Sequence, residues 1–220
     1  MVEKAPSRGE VARAALVAQA ERLFAEHGIA GVSLRDVSAA AGQRNHSAAQ
    51  YHFGDRQGLV RAVYEARMDL VDARRRRRLA TLEANGADHG LRPLVEAVVL
   101  PLLEVVAETD GWYARFLTRT RWDPIGWETI GGLASAESLR ESMRLVSPHL
   151  HHLSPAIRRS RLDQLMTLVI GTVAGWEGAA DRGERRLPVE ELAAELVTTC
   201  VAVLSAPVAT DVPVLEGASA

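Results

Sequence analysis

Residues 33–53, SLRDVSAAAGQRNHSAAQYHF, hold the pattern that decides how the first third of the chain folds. Ser33 precedes Asp36 by three residues. This spacing is typical of a capping box, in which the hydroxyl and the carboxylate each accept a backbone N–H at the start of a helix. Apolar residues at helical spacing follow, and Gly42 can take the left-handed conformation that ends many helices. The stretch therefore predicts a short amphipathic helix that ends near Gly42.

A second short helix is predicted for residues 47–53, after a polar turn. The turn and the exposed side of this helix carry side chains that can bond to bases or phosphates: Arg44, Asn45, His46, Ser47, Gln50, Tyr51 and His52. A helix, a glycine-containing turn and a polar second helix together predict a helix-turn-helix, whose second helix enters the major groove of DNA. A surface helical hairpin with polar side chains is the alternative that this stretch leaves open.

The composition bounds the class of protein. The chain has 220 residues, of which 47% are hydrophobic, so it can bury a sizeable core. No uncharged run is long enough to span a bilayer, and the N-terminus lacks the apolar block of a signal peptide. The single cysteine, Cys200, excludes an intramolecular disulfide and a cysteine-based metal cage. We therefore expect a cytoplasmic protein with no membrane partner and no cofactor.

Charge is distributed unevenly along the chain. Residues 1–80 contain 14 Lys and Arg against 9 Asp and Glu, whereas the remaining residues contain 12 against 19. A basic first third on an acidic body is expected when one end of a protein approaches phosphates. The net charge of −2 by itself favours no partner.

The periodicity of the whole chain predicts an all-α fold, because no strand alternation and no internal repeat is present. Pro101 lies inside an apolar block and is predicted to kink or break its helix. The predicted helices cover residues 10–27, 33–42, 47–53, 56–84, 91–109, 111–120, 134–148, 155–182 and 189–204, with a loop at 123–132 and a disordered tail at 206–220.

Two segments resemble the TetR-type transcriptional regulators. They are LVAQAERLFAEHGIAGVSLRDVSAAAG at residues 16–42 and AAQYHFGDRQGLVRAVY at residues 48–64. The chain departs from the family pattern by one extra residue between Gly42 and Ala48. The likeness covers most of the first 64 residues, whereas the remainder matches only in the number of helices and in its ending.

The resemblance implies a domain organisation and a set of partners. A three-helix DNA-binding head is expected at residues 1–55, and an all-helical ligand-binding and dimerisation body at residues 56–205. A connecting helix at residues 56–84 begins this body, and about nine helices are expected in all. The resemblance also implies a homodimer that binds a double-stranded DNA operator and a small-molecule effector.

The resemblance further implies roles for individual residues. Arg35 lies where family members place a side chain that reaches guanine, and a guanidinium fits the two acceptors of that base. Tyr51 and His52 match positions that touch phosphate or a thymine methyl group. Arg56 resembles a basic phosphate clamp beside the start of the connecting helix. Ser33 could also hold a phosphate, although helix capping explains this residue equally.

Two charged clusters are interpreted as surface features. Arg74–Arg78 lies about 27 Å beyond Arg56 along a helix, at ~1.5 Å per residue, and is therefore predicted to be solvated rather than bound to DNA. His149, His151 and His152 have no acidic or cysteine partner at ligand spacing, so no metal site is predicted.

Two further groups of residues are candidates for ligand binding and for dimerisation. Aromatic and methionine side chains of the body are expected to line an apolar pocket, although each one alone could equally fill the core: Trp112, Phe116, Trp122, Trp127, Met143, Met166 and Trp176. Residues of the last two helices are expected to meet a second copy of the chain in a four-helix bundle, unless earlier helices of the same chain cover them: Leu168, Gly171, Thr172, Gly175, Leu192, Leu196, Thr199, Cys200 and Val203.

The predicted function is that of a DNA-binding transcriptional regulator, by resemblance a repressor. It is expected to bind a palindromic operator as a dimer and to be released by a small apolar or aromatic effector. No Walker-type glycine loop, H-E-x-x-H or G-x-S-x-G sequence is present, so no enzyme activity is expected. An all-helical small-molecule-binding protein or enzyme without a DNA role is the alternative.

Overall fold

The computed structural model describes residues 5–86, 89–109, 111–133 and 136–209, which form ten α-helices, one short 3₁₀ helix and no strand. The all-α fold predicted from the sequence is confirmed. None of the helices in this part of the chain is both long and apolar enough to cross a membrane. The helices are α1 (Arg8–His27), α2 (Leu34–Ala40), α3 (Ala48–Phe53), α4 (Arg56–Ala84), α5 (Leu91–Glu108), α6 (Tyr113–Thr120), α7 (Pro124–Gly131), α8 (Glu137–Val146), α9 (Pro155–Ala179) and α10 (Val189–Ser205), with the 3₁₀ helix at Ser147–Leu150.

The first three helices pack on the start of α4 around an apolar core. Leu16 and Phe24 of α1, Val37 of α2 and Ala49 of α3 are all inaccessible to solvent or nearly so. Burying a large apolar side chain contributes roughly 1.5–3 kcal/mol to folding. Six apolar side chains of α4 are buried too: Leu59, Val60, Val63, Tyr64, Met68 and Val71.

The helix α4 joins this head to the rest of the chain without interruption. It begins at Arg56 and ends at Ala84, over the span predicted for the connecting helix. The cluster of buried apolar side chains also continues from α1 through α4 to α5, α6, α9 and α10. The head and the rest of the chain are therefore joined by packed side chains rather than by a flexible linker.

Pro101 does not break α5, so of the two predicted outcomes, a kink or a break, the break is wrong. The helix runs from Leu91 to Glu108 with Pro101 inside it. The proline ring removes the backbone N–H that would bond to the carbonyl of Ala97. Arg75 of α4 donates its Nε–H to that carbonyl oxygen at 3.2 Å instead. A tertiary contact therefore satisfies the exposed carbonyl, and the helix continues.

The arginine run of α4 is only partly solvated. Arg75 is 3% exposed, Arg74 donates to Glu108 at 3.0 Å, and Arg76 lies 2.7 Å from Asp72. The prediction of a solvated stretch is therefore wrong for Arg75. Charged residues are solvated in most proteins. The sequence alone, however, does not show that α5 packs against the side of α4 on which Arg75 lies.

Residues 124–131 form α7, where the sequence predicted a loop. The Asp123 side chain accepts the backbone N–H of Ile125 at 2.9 Å, so it starts the helix as a cap would. Pro124 occupies the first helical position, where a missing N–H costs little. The loop prediction is wrong, because proline is favourable at the first helical position and Gly126 does not interrupt the helix.

The helices α9 and α10 pack against α5 and against each other. Leu192, Leu196 and Cys200 of α10 are consequently buried inside the protomer. Their assignment to a dimer surface is corrected, because helices of the same chain cover them. Burial also raises the pKa of the Cys200 thiol to about 11, which keeps this thiol protonated at neutral pH.

Two buried carboxylates hold the N-terminus of α6. Glu21 of α1 accepts the Trp112 N–H at 2.8 Å and the Arg67 Nε–H at 2.8 Å. Glu177 of α9 accepts the backbone N–H of Arg115 at 2.9 Å, and burial raises the pKa of Glu177 against the opposing effect of these bonds. A helix N-terminus favours negative charge. The end of α6 is therefore bonded both to the head and to α9.

The chain beyond α10 is held at its beginning. Arg161 of α9, which is buried, donates to the carbonyl groups of Leu204 at 3.1 Å and Pro207 at 3.0 Å. The predicted tail at 206–220 therefore starts with defined contacts. Residues 210–220 lie outside the described part of the chain.

Candidate nucleic-acid interface

The start of α2 has the capping box that the sequence predicted. The Ser33 hydroxyl accepts the Asp36 N–H at 3.2 Å, and the Asp36 carboxylate accepts the Ser33 N–H at 2.9 Å. The Ser33 hydroxyl also donates to Asp36 at 2.6 Å, and these bonds lower the pKa of Asp36. The charged carboxylate is thus fixed at the helix start, while Arg35 in the same turn stays exposed.

The turn after α2 depends on Gly42 and Ser38. Gly42 has a φ of +65°, a conformation that glycine adopts without strain, and the Gln43 N–H donates to the Ser38 carbonyl at 3.0 Å. The buried Ser38 hydroxyl accepts the Ala49 N–H at 3.0 Å and donates to the Leu34 carbonyl at 3.0 Å. One hydroxyl therefore joins α2 to α3 and fixes the position of α3.

A second hydrogen-bonded turn starts α3. The side-chain oxygen of Asn45 accepts the Ser47 N–H at 2.9 Å, and the Asn45 carbonyl accepts the Ala48 N–H at 3.0 Å. Asparagine commonly builds turns in this way. Ser47 makes no capping bond with its own side chain. The Asn45 amide oxygen is thus used inside the turn, whereas the Ser47 hydroxyl lies at the surface.

The helix α3 presents one outward face. Ala49 is fully buried. At about 100° per residue, Ser47 and Tyr51 lie about 160° around the helix from Ala49, and Gln50 lies about 100° from it. All three are exposed, and Tyr51 has 84% of its surface accessible. The half-buried ring of His52 packs edge-on against the Tyr51 ring at 5.3 Å. This face offers a hydroxyl, an amide and a phenol to a partner as large as DNA.

The connection between α3 and α4 is short and depends on two glycines. Gly54 has a φ of +76° and donates its N–H back into α3. Gly58 lies in the first turn of α4, where a Cβ would overlap the carbonyl oxygen of Phe53. Asp55 caps α4 by accepting the Gly58 N–H at 2.8 Å. The tight connection places Arg56 directly beside the end of α3.

The structure places the ten predicted DNA-contacting residues on α2, the turn, α3 and the start of α4. Eight of them are exposed, and His52 and Arg56 are half-buried. None of the ion pairs in the described part of the chain includes Arg35, Arg44 or Arg56. The neighbouring acids Asp36 and Asp55 serve as helix caps. The three guanidinium groups therefore have no carboxylate partner among the described residues, and positive groups of this kind attract phosphate.

Three residues that shape this surface were not predicted from the sequence: Arg13, Ser38 and Gly58. Arg13 of α1 is exposed and places its guanidinium 5.3 Å from the Phe53 ring centre, which adds a cation at the end of α3. A serine among the apolar residues of α2 and a glycine in the first turn of a long helix are local exceptions to propensity. Those exceptions are the signal that could have found Ser38 and Gly58.

A separate cavity lies in the body between α6, α8 and α9. Its volume is about 490 Å³, within the range of small-molecule sites. Apolar side chains form most of its wall: Leu117, Leu139, Met143, Leu162, Met166 and Ile170. Four charged side chains complete the wall: Arg121, Arg140, Arg159 and Asp163.

The residues predicted to line a ligand pocket do not converge on one site. Met143 and Met166 do line the apolar cavity. Phe116 instead fills the core, with its ring 4.9 Å from that of Tyr64, and Trp122 is 71% exposed. The sequence therefore named two methionines that line this cavity, whereas Phe116 lies in the core and Trp122 at the surface.

Two other tryptophans line a smaller polar cavity. Trp112 and Trp176 border a space of about 300 Å³ beside Glu177 and Arg186. The Trp176 Nε1–H donates to the Leu187 carbonyl at 2.9 Å, so its polar end is already bonded. The side chain of Trp127, which was also predicted for the pocket, lies outside the described residues.

Part of the predicted dimer surface is accessible on α9 and α10. Three of its residues are exposed and three are half-buried: Gly171, Gly175 and Thr199, then Leu168, Thr172 and Val203. A Cβ added at Gly171 or Gly175 would meet no atom within 4 Å. The backbone of α9 is therefore open to the close approach of another chain.

No group of three or more His, Cys, Asp or Glu side chains in the described ranges could hold a metal ion. The Nδ1 atom of His151 lies 2.8 Å from the carbonyl oxygen of Pro148, and the rings of His151 and His152 pack edge-on at 6.0 Å. These histidines are thus part of the local structure of the break between α8 and α9.

Comparison with known proteins relates residues 16–63 to one family and the fold to solved structures. Residues 16–63 match the family described as bacterial regulatory proteins, tetR family. No curated protein matches the chain. A solved structure described as a TetR-family transcriptional regulator from Rhodococcus sp. is similar, with a TM-score of 0.52 and 18% identity, over 89% of this chain and 100% of that one.

Two further solved structures share this fold. One is described as a tetR family transcription regulator from Shewanella sp. PV-4, with a TM-score of 0.56 and 14% identity, over 88% of this chain and 95% of that one. The other is the TetR family transcriptional regulator PfmR from Thermus thermophilus, with a TM-score of 0.50 and 18% identity, over 86% and 96% of the two chains. At these identities the likeness concerns the fold.

Proposed function

We propose that this chain is a TetR-type transcriptional regulator, a cytoplasmic repressor that binds a palindromic operator as a homodimer, because residues 16–63 match the tetR family of bacterial regulatory proteins. The observation that carries the proposal is the α2–α3 unit. Ser38 holds α3 so that Ala49 faces the core, while Gln50 and Tyr51 face outward. Recognition of bases in the major groove requires a helix that is fixed in this way and whose polar side chains face outward.

Within this proposal, base reading and phosphate binding fall to different residues. The exposed amide of Gln50 matches the donor and acceptor pair of adenine, and the Arg35 guanidinium matches the two acceptors of guanine. Arg56 at the start of α4 and Arg44 in the turn hold the backbone phosphates. The first pair supplies specificity, whereas the second supplies affinity that depends on salt.

The dimer follows from the size of the head. One α3 helix of six residues contacts too few bases to select a site alone, so two heads about 34–36 Å apart are needed. The exposed face of α9 around Gly171 and Gly175 is where we place the two-fold axis, because the open backbone there permits a close helix crossing. Leu168 and Thr172 flank this crossing.

An effector would act through α6. Leu117 of α6 and Arg121 at the C-terminal end of this helix line the apolar cavity. The other end of α6 is bonded to Glu21 of the head, and the Arg119 side chain donates to the Ala25 carbonyl of α1 at 3.2 Å. A molecule that displaces α6 must therefore shift α1, so effector and operator are expected to antagonise each other reciprocally.

The alternative is a small-molecule-binding protein or enzyme that uses the cavity and has no role on DNA. Selection from a random duplex pool separates the two. Enrichment of a palindrome with half-sites about 10 base pairs apart is expected. The control is a Gln50→Ala/Tyr51→Ala chain, which should enrich nothing. A pool that stays random with the unaltered chain would reject the repressor and leave the alternative.

A further inference from the structure

We infer that the cavity between α6, α8 and α9 binds an amphipathic monoanion, a molecule with an apolar chain or ring and one carboxylate. This inference rests on the proposed function, because it names the chemical class of the effector. It adds a negative charge to the apolar or aromatic ligand that the sequence predicts.

The wall of the cavity fits the apolar part of such a molecule. Six of the ten residues around it have aliphatic or thioether side chains. Met143 of α8 and Met166 of α9 are half-buried and belong to this wall. Methionine side chains are flexible and adapt to ligands of irregular shape. An elongated hydrocarbon therefore suits the cavity better than a rigid polar ligand does.

The charged groups fit the other end. Three guanidinium groups and one carboxylate border the cavity. Asp163 is paired with Arg121. Arg140 and Arg159 are exposed, and neither takes part in an ion pair of the described residues. An unbalanced pair of cations at the rim of an apolar space attracts an anionic head group.

The exposed arginines fix where the carboxylate lies. Arg140 of α8 and Arg159 of α9 both border the cavity and both are exposed to solvent. Arg121 is already paired with Asp163. The carboxylate is therefore placed beside Arg140 and Arg159.

Calorimetric titration of the full chain tests the inference with three probes of equal chain length: decanoate, decanol and decyltrimethylammonium. Decanoate should bind saturably and about tenfold more tightly than decanol, because bonds to an ionised group are stronger than those to a neutral one. The cation should show no saturable binding. Equal affinity for decanoate and decanol, or binding of the cation, would overturn the assigned charge.

Matched arginine variants test the placement. Arg159→Gln and Arg140→Gln should each weaken decanoate binding about fivefold or more, and should leave decanol binding unchanged. Arg158→Gln and Arg144→Gln are the controls, because these neighbours on the same two helices do not border the cavity; decanoate binding should change less than about twofold. If Arg158→Gln weakens binding as much as Arg159→Gln does, the carboxylate has been placed wrongly.

Cavity-filling variants test the site itself. Met166→Trp, and separately Met143→Trp, should abolish binding of decanoate and decanol in chains that still melt cooperatively. Absence of saturable decanoate binding to the unaltered chain, or full binding by both variants, would overturn the inference. DNA selection is a separate measurement. A chain that selects an operator but binds no decanoate would reject this inference alone, whereas one that binds decanoate but selects no DNA would reject the repressor.

Discussion

Arg75 supplies the hydrogen bond that Pro101 removes. The proline ring leaves the Ala97 carbonyl without its helical donor, and the Arg75 Nε–H lies 3.2 Å from that oxygen. A second guanidinium nitrogen donates to the Val98 carbonyl at 3.4 Å. Burial lowers the pKa of Arg75 to about 10, and Asp72 opposes this effect. The positive charge is retained at neutral pH and binds α4 to the middle of α5.

A double-mutant cycle tests this relationship. Arg75→Leu should lower the free energy of unfolding by about 2–4 kcal/mol, because buried carbonyls lose their donor. Pro101→Ala restores the N–H, so Arg75→Leu should cost about 1–2 kcal/mol less in that background. Urea unfolding of the four chains measures the coupling. Equal costs of Arg75→Leu in both backgrounds would show that Arg75 acts independently of Pro101.

The Ser38 hydroxyl is expected to stabilise the head and to position α3. Ser38→Ala leaves the Ala49 N–H buried without its acceptor, so the free energy of unfolding should fall by about 1–3 kcal/mol. The control is Ser47→Ala, whose hydroxyl caps no helix; its stability should change by less than about 0.5 kcal/mol. Equal stability of the two variants in urea unfolding would contradict the role of Ser38.

Gly58 is expected to tolerate no side chain. A Cβ there overlaps the Phe53 carbonyl oxygen, so Gly58→Ala should lower the free energy of unfolding by about 1–3 kcal/mol. Gly9→Ala is the matched control in the first turn of α1, where the nearest atom to a new Cβ is the Ser7 Oγ at 3.9 Å. This control should be neutral or slightly stabilising. Thermal melts of both variants measure this difference. An unchanged melting temperature for Gly58→Ala would contradict the close contact.

Arg35 and Arg56 are expected to contribute differently to DNA binding. Arg35→Ala should relax the preference at one base pair per half-site and cost about 1–3 kcal/mol on the selected operator. Arg56→Ala should weaken all sequences alike and reduce the salt slope by roughly one unit. Fluorescence anisotropy on operator and random duplexes at several salt concentrations measures both. Equal losses on both duplexes for both variants would show that no such division exists.

The exposed backbone of α9 is expected to form the dimer contact. A Cβ added at Gly175 meets no atom within 4 Å, so Gly175→Arg should keep the fold while its long side chain blocks the close association of two chains. Sedimentation at micromolar concentration should show a dimer for the unaltered chain and a monomer for this variant. Ala80→Arg on the exposed side of α4 is the control and should remain dimeric. A dimer that persists in Gly175→Arg would move the interface elsewhere.

The local parts of the DNA-binding head were determined by the sequence itself. The capping box of Ser33 and Asp36 and the left-handed Gly42 follow from bonds between residues a few positions apart. The uninterrupted α4 likewise follows from its periodicity and its cap at Asp55. Interactions of this kind close within one or two helical turns, so the pattern of residues is sufficient to predict them.

Only the tertiary structure decided which helix covers which face. The spacing of Leu192, Leu196 and Cys200 shows that these side chains are buried, but not that α5 and α9 of the same chain bury them. From the sequence alone, Arg75 is expected to be solvated. In the fold, α5 places the Ala97 carbonyl, which lacks its helical donor, beside the Arg75 side chain. A periodic pattern gives the direction of an apolar face. The partner of that face depends on contacts between residues far apart in the chain, which no local pattern encodes.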